Sequence, residues 1–126
     1  MSRAFGVLGA VFGFIALGAG PIGAHHLHLA SDMQEAFETG VRYQLIHAVA
    51  LLAVALKFER GGSAPLALSG WLFVAGQVLF PFGLYVFAAT ENHAWALATP
   101  VGGVCYLAGW AALTAAFARR RGDAWS

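Results

Sequence analysis

Charge is scarce in this chain. Asp, Glu, Lys and Arg make up 10% of its 126 residues, and 60% are hydrophobic. Soluble domains carry about 25% charged and about 45–50% apolar residues, so a water-soluble fold of this length could not hide the excess. Cysteine is nearly missing as well. Cys105 stands alone, which excludes an internal disulfide, a CxxC redox pair and a thiolate metal cage. The net charge is only +1, and no basic stripe with interleaved aromatics is present, so nucleic acid is not an expected partner. A P-loop, a GxSxG elbow and an intramembrane acidic pair are also lacking. Gly102-Gly103 has no strand or phosphate-binding context for a dinucleotide. The chain is not expected to be an enzyme, and no cofactor is expected.

What is present is apolar sequence in four runs, and one all-α transmembrane domain is the expectation. The run from Ala4 to Ala24 is free of charge; at 1.5 Å per residue it reaches about 30 Å, one hydrocarbon thickness. It is longer than the apolar core of a signal peptide, so it is read as a retained span. Further spans are expected at 40–58, 66–89 and 97–118. Arg3, Lys57, Arg60, Arg119, Arg120 and Arg121 fall on one side of this arrangement and Arg42 on the other. Basic residues accumulate in cytoplasmic loops, so both termini are placed in the cytoplasm of a cell with the bundle in its inner membrane.

Local chemistry suggests where helices begin, bend and pack. Ser31 with Gln34, followed by Asp32 and Glu35, has the form of a capping box. A short amphipathic interfacial helix is therefore expected between the first two spans, with a bend at Gly40. Pro81 should kink the third span and free the carbonyl of Gln77. Thr99-Pro100 reads as N-cap and first turn of the fourth. Gly9, Gly13, Gly40, Gly102 and Gly103 suit close helix packing. Trp110 joins Trp71, Tyr85, Trp95 and Tyr106 as packing residues or interface anchors.

The histidines carry most of the chemical information. His25, His26, His28, His47 and His93 are expected at or near the non-cytoplasmic side, with His47 just inside the second span. Two readings stand side by side. In one, the loop histidines are solvated and His47 is packed in a hydrogen-bonded cluster with Tyr43, Gln44 and Gln77. In the other, His25, His26, His28, His47 and His93 supply ligands to a metal ion, although their spacing matches no specific metal motif.

Four segments resemble a known family: residues 20–27 (GPIGAHHL), 37–48 (FETGVRYQLIHA), 79–85 (LFPFGLY) and 99–110 (TPVGGVCYLAGW). In order and spacing they are similar to the YgdD/YwdK-like small inner-membrane proteins, a family of unknown function with mitochondrial relatives. The family pattern GAFGAHGL places its histidine on His25, with Pro21 and His26 replacing an alanine and a glycine. Where the family has Ser-Gly-Ser, this chain has Pro81, Phe82 and Gly83. The resemblance implies a four-helix inner-membrane protein and no particular reaction. It singles out His25, Thr39, Gly40, Tyr43, Gln44, His47, Tyr85, Thr99, Pro100, Gly102, Gly103 and Trp110, most of them expected at the non-cytoplasmic helix ends.

Two functions are therefore entertained. One is an accessory or assembly subunit in the bilayer, bound to a larger membrane complex or to a second copy. The other is a module that binds or passes a metal ion or small molecule through the histidine cluster.

Overall fold

A computed structural model describes residues 1–25 and 27–119. The described residues form helices α1 (Ser2–His25), α2 (Ser31–Arg60), α3 (Ala64–Thr90), the single turn α4 (His93–Ala96) and α5 (Ala98–Ala118). Four segments are long and apolar enough to cross a membrane: α1, α2, α3, and His93–Ala118 taken together. The fold is an all-α transmembrane bundle.

Consecutive spans run antiparallel and make the main contacts. Gly9 of α1 meets Ala48 and Leu52 of α2, while Gly23 lies over the Phe37 ring. Gly40 of α2 meets Tyr85 and Pro81 of α3, and Gly83 of α3 meets Ala98 and Thr99 of α5. Phe5, Leu51, Val54, Leu66 and Phe73 are fully buried between the spans. Exposed Val11, Phe14, Leu17, Val49, Leu68 and Leu107 face outward, as suits helices solvated by lipid.

The turns sort most basic residues to one end and most acidic residues to the other, with Glu59 and Arg42 as the exceptions. Arg3, Lys57, Arg60 and Arg119 gather at one end of the bundle, where the Lys57 ammonium sits 4.3 Å from the Phe117 ring centre. Asp32, Glu35, Glu38 and Glu91 lie toward the other, acidic end, with Arg42. Gly61 closes α2 at φ 149°, in the region that favours glycine. Ser63 caps α3 by accepting from the Leu66 N–H at 3.3 Å, and Asn92 caps α4 by accepting from the Ala94 N–H at 3.0 Å.

Several local expectations need correction. Ser31 is not a cap: Ala30 occupies that position without a side-chain bond, and Gln34 instead donates to Glu38 at 3.2 Å. No separate interfacial helix forms, because α2 continues through Gly40 without a break. The missing side chain at Gly40 serves packing, since a Cβ there would lie 2.8 Å from the Tyr85 ring. Pro81 does lie inside α3, as expected, and is buried there. Thr99 is not an N-cap, as α5 starts at Ala98, and its hydroxyl is buried without a partner. Pro100 falls among the first residues of α5, whose N–H groups need no intrahelical acceptor.

Candidate functional site

The polar side chains that the spans bury converge on one seam between α2, α3 and α5. Gln44 and Gln77 are 0% exposed. The Gln77 amide donates to the Gln44 backbone carbonyl at 3.0 Å. The Gln77 side-chain oxygen accepts from the Tyr106 hydroxyl at 2.6 Å. The Gln44 side-chain oxygen accepts from the Tyr85 hydroxyl at 2.7 Å. Nearby, Ser69 donates to the Gly109 carbonyl at 2.9 Å. Hydrocarbon offers no competing partner, so these bonds fix which helix faces meet. The Gln44 amide nitrogen is buried without a partner.

His47 occupies the next turn of α2. Its ring stacks on Tyr106, with centres 3.5 Å apart and planes 8° apart, and meets Phe73 edge-on. Nε2 lies 3.0 Å from the Trp110 indole nitrogen, and Nδ1 lies 2.8 Å from the Tyr43 carbonyl. Indole N–H only donates and a carbonyl only accepts. The pairing therefore assigns a neutral imidazole with its proton on Nδ1. Both ring nitrogens are engaged, and a metal at Nε2 would have to displace Trp110.

Depth separates His47 from the other histidines. It lies about 15 Å along α2 from Lys57 and about 15 Å from Phe37, the level of Gly23. Arg42 of the acidic end lies about 7.5 Å from it along the same helix. His25, His28 and His93 are at the acidic end, and His26 lies outside the described residues. Among the described residues no three of His, Cys, Asp and Glu are grouped to hold a metal.

The structure brings Tyr43, Gln44, His47, Gln77 and Tyr85 to the seam region and leaves His25 and Thr99 apart from its hydrogen bonds. Tyr106, Ser69 and the polar role of Trp110 go beyond what sequence reasoning assigned. Their signal is spacing: Gly102, Tyr106, Gly109 and Leu113 form the buried stripe of α5, so a hydroxyl in that stripe must face a neighbouring helix. Replacing His47 with Phe keeps a ring for stacking but strands the Trp110 N–H. A loss of about 1 kcal/mol is expected in reversible unfolding in mixed micelles.

The family model described as "Protein of unknown function (DUF423)" matches residues 18–103. The chain is 34% identical over 111 residues to the UPF0382 membrane protein YwdK of Bacillus subtilis, covering 86% of this chain and 90% of that protein. It is 38% identical over 112 residues to the UPF0382 inner membrane protein YgdD of Escherichia coli, covering 87% and 86%. No solved structure matches.

Proposed function

This chain belongs to the DUF423 family of membrane proteins, and from that premise we propose that it is a non-catalytic interaction subunit that docks on a larger membrane complex. One observation carries the reading. Within the bundle, Gln44, Gln77, Tyr85, Tyr106, His47 and Trp110 direct their hydrogen bonds to one another or to backbone. Such a seam holds three helices in one register and offers no nucleophile or acid–base pair to a substrate. Its use is to keep the outer helix faces in a fixed arrangement that a partner can recognise.

The basic end is assigned to the cytoplasm, since Arg3, Lys57, Arg60 and Arg119 gather there. A reporter active only in the cytoplasm, fused after Ser126, is expected to be active; activity of a periplasm-dependent reporter at that position would reverse the assignment. Docking is tested by mild-detergent purification at native expression, followed by mass spectrometry. A stoichiometric membrane partner is expected, recovered again when that partner carries the tag. Recovery of the lone monomer would count against the proposal.

A further inference from the structure

The basic end of the bundle carries charge that the fold does not neutralise. Arg3, Lys57, Arg60 and Arg119 gather there, and Glu59 is the one carboxylate among the described residues of that end. Among the described residues, Arg3, Lys57 and Arg60 join no ion pair. Helix phase explains why Glu59 does not serve them. At about 100° per residue, Lys57 and Arg60 share one face of α2, and Glu59 is turned about 200° from Lys57. Arg3 comes in from α1. A Cβ at Gly6 would lie 3.8 Å from the Ala55 Cβ, so in these antiparallel helices Arg3 is level with Phe58.

Lys57 sets the depth of the patch. Its ammonium sits 4.3 Å from the centre of the Phe117 ring, which is 62% exposed. That ring stands in the last turn of α5, a membrane-crossing segment. The ammonium is therefore held where apolar surface gives way to headgroups. Arg60, in turn, ends an exposed stripe on α2. Leu56, Ala53, Val49 and Ile46 precede it on the same face, all of them exposed and apolar.

This combination selects the occupant. A soluble acidic protein could pair with Arg60 but has no use for the stripe beneath it. A dissolved phosphate has no use for the stripe either. A phospholipid with a net negative headgroup meets both, its phosphate with the cations and its tails with the stripe. We infer that the basic end binds an anionic phospholipid, its phosphate between Lys57 and Arg60 and its tails along α2. Arg3 adds to the positive field around that phosphate. The inference is independent of the docking proposal, because it is tested on the isolated chain, and it holds whichever side of the membrane the basic end faces.

The test is native mass spectrometry of the full-length protein in detergent micelles. It is titrated with dioleoylphosphatidylglycerol or with dioleoylphosphatidylcholine, which has the same tails and no net charge. The first phosphatidylglycerol is expected to bind about 25-fold tighter, about fivefold for each of two cations. Lys57→Gln with Arg60→Gln should remove that preference, and each change alone should remove about fivefold of it. Lys57→Arg keeps the charge and should keep the preference. Arg42→Gln, at the other end, should leave it unchanged. Added salt should weaken phosphatidylglycerol binding and spare phosphatidylcholine. Equal binding of the two lipids would overturn the inference, as would a preference that the double variant retains or that Arg42→Gln lowers as much. So would displacement of phosphatidylglycerol by equimolar glycerol 3-phosphate or hexaglutamate, since free phosphate or an acidic protein segment would then be the better occupant.

Discussion

Gly102→Ala is expected to lower the stability of the bundle by about 3 kcal/mol, at the upper end of typical overpacking penalties. The magnitude follows from what the new methyl group meets. An ideal Cβ at Gly102 would lie 2.5 Å from the Phe80 backbone nitrogen and 2.9 Å from its Cα. Backbone cannot rotate out of the way as a side chain can, so α3 and α5 must separate along their whole contact. That movement also strains the Tyr106–Gln77 and Ser69–Gly109 bonds, which bridge the same two helices. Gly103 is the internal control. A Cβ there finds its nearest atoms, on the Phe80 ring, at 3.8 Å. Gly103→Ala should be neutral or slightly stabilising, because alanine is the better helix former. Reversible unfolding in mixed micelles, or steric trapping in bilayers, reads both variants. Equal effects at the two positions would show that α3 and α5 do not approach as described.

Gln77→Leu should cost about 2 kcal/mol, and the reason is what it leaves behind. Leucine approximates the volume of glutamine, so packing changes little. The Tyr106 hydroxyl, however, loses its acceptor, and the Gln44 carbonyl loses a donor. A buried polar group left unpaired costs about 1–3 kcal/mol, whereas removing both partners of a bond can be nearly neutral. The double variant Gln77→Leu with Tyr106→Phe should therefore recover much of the loss. The sum of the single effects should exceed the double effect by about 1 kcal/mol, the range measured for hydrogen bonds between membrane helices. Additive effects would mean that the two side chains do not interact.

The sequence announces the spans more clearly than the site they build. Long uncharged runs such as Ala4 to Ala24 are a one-dimensional signal, and lipid admits few structures other than helices for them. Helix ends are less legible, because several rules compete there. Ser31 and Thr99 both have good capping chemistry, yet Ala30 and Leu97 occupy the cap positions. The helices begin one and two residues earlier than those side chains would set, so neither hydroxyl is placed to accept from the first turn. Gly40 illustrates the same difficulty. By propensity it is a weak point in a helix, but the close approach of Tyr85 that it permits is a contact between residues far apart in sequence. Gln44 and Gln77 were recognisable as members of a cluster, since uncharged amides inside spans require partners. Tyr106 was not, because an aromatic with a hydroxyl also suits the membrane interface.

The depth of Trp110 in a bilayer tests the account most directly. With Trp110 as the only tryptophan, the protein is reconstituted in phospholipids brominated either near the headgroup or deep in the acyl chain, and fluorescence quenching is compared. Strongest quenching by the deep label is predicted, together with a reversal when Trp95 of α4 is the sole tryptophan. Strongest quenching of Trp110 by the shallow label, or by iodide in the water, would contradict a hydrogen-bonded seam at the centre of four membrane-spanning helices.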